Sequence, residues 1–409
     1  MTRGCIPTKA LVRAAEIAED ARQADEFGIR VGAVEVDFAA VMARIRRVID
    51  DGVSFYEHQI EKDDGITLFR GQACFVSEHA IECNGERIEF EHALIAAGAR
   101  PRIPAIPGLG EVPYLTSDDL LQATELPDHL VCLGAGAVAL EFAQVYRRLG
   151  AQVTVVQRGA RIASSEDGEL SVLLRRYLEE EGVEVITEAA VERAETVAGR
   201  PALVLADGRH VVGDKLLVGA GRVPVVDGLG LAEIGIETRP TGVVVDGTLR
   251  TTLPHVSAIG DATGGLMFTH VATYEAPIAI ANMLDGAGIE ADYRVIPRVI
   301  FTAPELAGVG LSEERALAAG HEVEVRRFDV GKTGKARALG DRRGRVKFVL
   351  DQRSGEILGA HILSRHGADL LPEAMVAMHA DTRTLAPLLA TIHPHPSLSE
   401  AVKIAARDG

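Results

Sequence analysis

His395 and Glu400 lie in the run His393-Pro394-His395-Pro396-Ser397-Leu398-Ser399-Glu400. An imidazole oriented by a carboxylate is a proton shuttle. The carboxylate fixes the ring and raises its pKa, and the ring can then serve a thiolate. The same residues have a plainer explanation: Ser397-x-x-Glu400 is an S-x-x-E capping box for a final helix, and that alone accounts for Glu400. His393 and His395 also form a His-x-His pair, but no further ligand cluster joins them, so no metal site is expected.

A second chemical signal is Gly134-Ala135-Gly136-Ala137-Val138-Ala139, which follows the apolar run Leu130–Leu133 and opens a helical pattern. In a G-x-G-x-x-A turn the first glycine permits the tight bend. The second lets backbone approach a pyrophosphate at a helix N-terminus, and the small third residue, Ala139, lets helix and strand close together. A second strand, Val153–Val156, ends in Gln157, with Arg158 and Arg161 close behind. A carboxylate there would grip the ribose 2′-hydroxyl of NAD. Its replacement by Gln beside two guanidinium groups suits a 2′-phosphate and favours NADP(H) over NAD(H), unless both arginines are merely solvated.

The run Thr251–Ile259 reads as a strand ending in Gly260-Asp261. A carboxylate in that place can accept from a ribitol or ribose hydroxyl, although Gly-Asp is also a common turn. A helix opening near Met267-Phe268-Thr269-His270 would direct its positive end at a reduced flavin. Gly331-Lys332-Thr333 resembles the end of a phosphate loop, but Arg326 stands where that loop needs glycine, and the segment reads as a basic surface loop.

The elements that must position these residues follow from periodicity. Residues 5–27 and 38–61 carry helical spacing, the first through Leu11, Ala14, Ala15 and Ala18. Residues 66–96 read as short strands with Asn84-Gly85 as a hairpin turn, and Cys74 and Cys83 within them read as buried apolar residues. Leu94–Pro101 and Leu217–Pro224 look like copies of each other, each an apolar strand running into Gly and then Pro. From about residue 298, strand-like runs at 322–328, 346–350 and 357–363 alternate with helix-like runs at 313–319, 369–379 and 399–406, which predicts a separate α+β domain.

The chain has 409 residues, 47% hydrophobic and 25% charged, with net charge -16. That length exceeds what one core supports. The acidic balance argues against nucleic acid and anionic membrane as partners. No apolar run reaches the ~18 residues of a membrane span. The four cysteines, Cys5, Cys74, Cys83 and Cys132, show no disulfide framework, and a reducing cytoplasm is expected.

Gly4-Cys5-Ile6-Pro7-Thr8-Lys9, the G-x-G-x-x-A unit, the Gly-Asp strand and His-Pro-x-x-Ser-Glu occur here in one order. Together they resemble the class I pyridine nucleotide–disulfide oxidoreductases, the group of dihydrolipoamide dehydrogenase, glutathione reductase and mercuric reductase. The resemblance covers the whole chain. It implies FAD, NAD(P)H, and a homodimer formed by the C-terminal domain, with His395 serving the other subunit's flavin site. By position, Cys5 resembles the flavin-proximal redox cysteine. Lys9 would lie near flavin N5 and pair with Glu141. Ala73, Ala97, Gly98, Gly260, Asp261 and Met267 through His270 match FAD-contacting positions, and Val191 and Gly221 match positions lining the nicotinamide nucleotide.

The expected fold is α/β: FAD- and NAD(P)-binding Rossmann-like domains followed by an α+β dimerisation domain. The expected divisions are 1–112 (FAD-binding, first part), 113–225 (NAD(P)-binding), 226–297 (FAD-binding, second part) and 298–409 (dimerisation). The expected activity is NAD(P)H-dependent reduction of a small-molecule or protein-bound disulfide, or oxidation of the dithiol. The alternatives are a mercuric-ion or quinone reductase on the same scaffold, and a non-catalytic NADP-binding dimeric protein. The dyad favours the dithiol substrate over Hg(II). In the family a first cysteine lies five residues before the one matched by Cys5, and two domain ends appear here with one beginning. The expectation is therefore an N-terminally truncated chain lacking an opening βαβ unit of roughly 30 residues. Its activity should be impaired, and the helix at 5–27 and the strand at 94–97 should be deprived of packing partners.

Overall fold

The computed structural model describes residues 4–408. The chain forms two compact units: Met1–Val53, Ile103–Ala220 and Arg294–Gly409 make the first, and Ser54–Arg102 with Gly221–Tyr293 the second.

In the first unit a four-stranded parallel sheet runs in the order Lys215–Val218, His129–Leu133, Gln152–Val156, Glu184–Ile186. Its central strands, HLVCL and QVTVV, are buried on both faces, as continuous apolar runs in a covered parallel sheet should be. The helix Ala137–Leu149 covers one face. On the other, Val131, Leu133, Val156, Leu216 and Val218 share a core with Leu203 and Leu205 of the antiparallel strand Arg200–Leu205.

The helix Cys5–Arg22 does not lack partners, contrary to the sequence expectation. Leu11 and Ala15 are buried in one core with Met42 and Ile45 of the helix Phe38–Lys62 and with Phe142 and Tyr146 of the helix Ala137–Leu149. Its apolar stripe is thus satisfied by two helices. The strand Ala93–Ile95 likewise pairs, in parallel, with Val256–Ala258 in the second unit.

A five-stranded antiparallel sheet completes the first unit, in the order Arg298–Ile300, Glu305–Gly310, Ile357–Ser364, Arg345–Asp351, Val323–Asp329. The helices Gly367–His379 and Ser399–Asp408 pack on it, with Leu371, Ala374, Ala401 and Val402 among the buried residues. This is the α+β element pattern read from the sequence.

The second unit holds the antiparallel strands Ala73–Ser77, Ala80–Cys83 and Glu86–Glu89. The last two join at Asn84-Gly85, where φ is 53° and 82°, the left-handed pair that a two-residue hairpin turn requires. Cys83 is buried, whereas Cys74 is only partly so. The tails of the two copied segments pair with each other: Arg222–Pro224 runs antiparallel to Ala99–Pro101. Among the described residues no helix is long and apolar enough to cross a membrane.

Candidate functional site

The Gly-rich turn is built from backbone. Gly134 has φ 104°, and a Cβ there would fall 2.6 Å from the Gly219 carbonyl oxygen. Ala139 is fully buried, and a Cβ on Gly219 would come within 2.8 Å of its own Cβ, so a small residue is needed for the helix to close on the sheet. Gly136 differs. It is the N-cap of the helix Ala137–Leu149 with no side-chain cap bond, and a Cβ there would meet nothing within 4 Å. No side-chain cap takes the first-turn amides, which lie at the positive end of the helix.

Behind this turn the two arginines part company. Arg161 donates to both carboxylate oxygens of Glu314, at 2.5 and 2.9 Å. The Glu314 hydrogen bond holds the Arg161 guanidinium above its usual pKa, and Arg161 in turn holds Glu314 below the usual carboxylate range. Arg158 is exposed and has no ion pair among the described residues. Gln157 donates from its side chain to the Arg161 carbonyl at 3.2 Å, which closes the loop between them. Val191 begins the strand Val191–Val197 and is partly buried.

Cys5 opens the helix Cys5–Arg22 and is exposed. One turn on, Lys9 Nζ lies 2.9 Å from Glu141 Oε2 and 4.3 Å from the centre of the Phe301 ring. Glu141 is buried, and its other oxygen accepts from the Phe301 amide at 2.9 Å. Both carboxylate oxygens are thus engaged, which makes a buried charge tolerable.

At the C-terminal loop each carboxylate oxygen of Glu400 has its own partner. Oε2 accepts from the Ser397 amide at 2.9 Å, the return half of a capping box, and Oε1 lies 2.9 Å from His395 Nδ1. The His395 ring and the Ser397 amide keep Glu400 below its usual pKa. The His395 side chain is 76% exposed, and its Nε2 has no hydrogen-bond partner among the described residues.

In the second unit, Gly98 has φ 72° with open space where a Cβ would lie, and so does Gly221 with φ 103°. Ala97 and Ala73 are exposed. Asp261 is half-buried. Desolvation raises its pKa, opposed by Arg222, whose Nε is 3.8 Å away. The Asp261 carboxylate accepts no hydrogen bond among the described residues, so its acceptors suit sugar hydroxyls. Met267 and Phe268 lead into the helix Thr269–Leu284, whose N-cap, Phe268, supplies no side-chain cap, and the Phe268 and His270 rings stack at 5.1 Å.

Sequence reading missed the support beneath this turn. Glu275 is buried, and its carboxylate accepts from the Gly260 amide at 2.5 Å and from the Tyr293 hydroxyl at 2.6 Å. Burial and Glu275 together raise the Tyr293 pKa. A signal was present: Glu275 is the one acid in the helix THVATYEAPIAIANML. Among the described residues no group of side chains could hold a metal ion.

The family model for pyridine nucleotide-disulphide oxidoreductases matches residues 1–276, and the dimerisation-domain model of the same family matches 296–406. The chain belongs to the pyridine nucleotide-disulphide oxidoreductase family. The family's members bind FAD and a nicotinamide cofactor. Dihydrolipoyl dehydrogenase of Bacillus subtilis (strain 168) is 33% identical over 412 residues, covering 98% of this chain and 89% of that protein. Mercuric reductase of Bacillus cereus is 32% identical over 406 residues, and this chain spans only 64% of its length. Among solved structures, the HOCl-induced flavoprotein disulfide reductase RclA from Escherichia coli superimposes with a TM-score of 0.87 at 30% identity, covering 98% of this chain and 88% of that one.

Proposed function

We propose that this oxidoreductase is an NADPH-dependent flavoprotein disulfide reductase in which His395 moves the proton and Glu400 orients it. The observation that supports this most is the division of the Glu400 carboxylate. One oxygen is tied to the Ser397 amide, so the other holds Nδ1 of His395 in a fixed direction and leaves Nε2 open to a substrate sulfur. A scaffold reducing mercuric ion or a quinone needs the flavin but not this pair, which is why a dithiol–disulfide substrate is favoured.

When bound, the flavin supplies a two-electron relay between nicotinamide and thiols. The chain's own residues do the rest. Gly134, Gly136 and Ala139 shape the nucleotide turn, and the helix at 137 directs its amides at a pyrophosphate. Arg158, being unpaired, is the guanidinium placed to take a 2′-phosphate, while Gln157 removes the carboxylate that would repel it. Val191 and Gly221 are proposed to line the nucleotide. Ala73, Ala97, Gly98, Asp261 and 267–270 are proposed to hold FAD, with Asp261 accepting from sugar hydroxyls. Cys5 is proposed as the redox thiol and Lys9, held in place by Glu141, as the ammonium one helical turn from it. The divisions at about 112, 225 and 297, and a homodimer through the C-terminal domain, belong to the same reading.

The test is a comparison of half-reactions. His395→Ala should slow disulfide turnover and spare flavin reduction by NADPH; equal slowing of both, or of neither, would leave only the capping role for this segment. An absorbance spectrum of the purified chain without a flavin band would instead favour the non-catalytic NADP-binding protein.

A further inference from the structure

The stretch that carries His395 has no ladder to hold it. Among the described residues, no backbone amide from Ile392 to Ser397 donates to a backbone carbonyl, and Pro394 and Pro396 have no amide to give. Ile392 is 93% exposed, so apolar burial does not anchor that end. A loop in this condition should wander, yet proton transfer requires a fixed ring.

Side chains take over the task. From the helix Ser399–Asp408, Glu400 holds both His395 and the Ser397 amide, and Lys403 Nζ donates to the Thr391 carbonyl at 2.6 Å. From the helix Gly367–His379 comes a contact that the dyad does not use. Glu373 Oε1 lies 2.6 Å from His393 Nε2, and the His393 side chain is only 4% exposed. His393 Nδ1 is 3.2 Å from the Thr391 carbonyl. The loop therefore carries two His–Glu pairs in opposite settings. One ring is buried with both nitrogens engaged; the other is exposed with one nitrogen open.

We infer that His393 and Glu373 are positioning residues that pin this loop to the helix Gly367–His379, so that Glu400 needs to orient only the ring of His395 and not the whole loop. The inference rests on the reading of His395 as the proton-transfer group. Proline on both sides of His395 stiffens the chain between the two clamps, so a fixed His393 limits where the His395 backbone can go.

The experiment measures hydrogen exchange at the loop's two hydrogen-bonded amides, Thr391 and Ser397, in the full chain, together with steady-state reduction of lipoamide and flavin reduction by NADPH. The variants are His393→Ala, Glu373→Ala, the double variant, His393→Gln and His395→Ala. Each single Ala variant should speed exchange at Thr391 and Ser397 by about tenfold, with the helix Ser399–Asp408 unchanged. The double variant should add little, because one contact has been removed twice. His393→Gln keeps a donor within reach of Glu373 and should restore slow exchange. In turnover, His393→Ala should lower kcat by about tenfold with KM nearly constant and flavin reduction unaffected. Unchanged exchange in either single Ala variant overturns the proposal, as does equal loosening of the whole C-terminal helix. If exchange responds but His395→Ala leaves lipoamide turnover intact, the proton-transfer reading has failed and the clamp stands. If His395→Ala abolishes turnover while His393→Ala changes neither exchange nor kcat, the clamp has failed and the dyad stands.

Discussion

The turn at Gly134–Ala139 and the loop at Thr391–Glu400 are both short, and both are assigned chemistry here, but they are made in opposite ways. The turn is defined by what is absent. Gly134 cannot carry a Cβ because a carbonyl fills the space, Ala139 cannot be larger because the sheet lies against it, and Gly136 leaves its space open. The loop is defined by what is present: Glu400, Glu373 and Lys403 reach in from two helices to hold a stretch whose amides from Ile392 to Ser397 donate to no backbone carbonyl among the described residues. A site built from excluded volume tolerates little substitution at its own residues. A site built from side-chain clamps can be loosened from a distance without a residue touching substrate being changed.

The largest expected effect lies in the loop. His395→Ala should lower disulfide turnover by roughly 10²-fold or more. Stopped-flow reduction of flavin by NADPH should stay within error of the parent. Glu400→Ala should show the second duty of that carboxylate: besides lost turnover, it should cost about 0.5–2 kcal/mol of stability as a broken cap, read by denaturant titration, where His395→Ala should cost little. Turnover loss without any stability loss would mean that the cap is ornamental.

Two glycines in the turn should separate folding from binding. Gly134→Ala forces a side chain into a left-handed backbone against the Gly219 carbonyl and should cost about 1–3 kcal/mol or more. Gly136→Ala should leave stability within about 0.5 kcal/mol. It should nonetheless weaken NADPH binding by at least about tenfold in titration calorimetry, because the new methyl group occupies the pyrophosphate's space. Equal loss of stability in both would show that the open space beside Gly136 closes in solution.

The arginines behind the turn give a smaller, sharper contrast. Arg158→Ala should reduce kcat/KM for NADPH by about tenfold and leave NADH nearly unchanged, the size expected for one charge-assisted bond to phosphate. Arg161→Ala should disturb the ratio less, because its guanidinium is already engaged by Glu314. A parent enzyme that prefers NADH would remove the basis for both expectations.

The gentlest test concerns the joint between the parallel sheet and the antiparallel one. Glu169, in the first turn of the helix Gly168–Glu180, is opposed by desolvation but held by Arg327, Arg345 and Lys347, and its pKa falls to about 2. A carboxylate whose folded pKa is depressed contributes stability above its unfolded pKa of about 4.3 and loses it as pH falls toward the folded value. Thermal melts of Glu169→Gln and the parent should therefore differ at pH 7 and converge between about pH 4.3 and 2. A difference that persists at the acid end would point to packing and not to charge.

Legibility followed sequence distance. The Gly-rich turn could be read because each glycine answers a local backbone demand, and the His395–Glu400 pair because five residues of loop and first turn bring the two together. The antiparallel strands of the C-terminal sheet could be read because their apolar runs are bounded by turns. Glu314 capturing Arg161 across 153 positions was not legible, because any exposed acid in the chain was an equal candidate. Nor was Glu373 behind His393, or Phe142 and Tyr146 receiving Leu11. Glu275 was half-legible: a lone acid in an apolar helix announces a buried partner without naming it.

By itself, the sequence determined where the strand, Gly-rich turn and helix follow one another, that Glu400 comes within reach of His395, and where the Asn84-Gly85 hairpin turns. These follow from sterics and reach over a few residues. Only the tertiary structure decided which of two arginines three positions apart is already paired, what covers the first helix, and how the sparsely bonded His395 loop is held. Each of those is a choice among chemically equivalent groups far apart in the chain, and only packing, by placing one of them within hydrogen-bond distance, makes the choice.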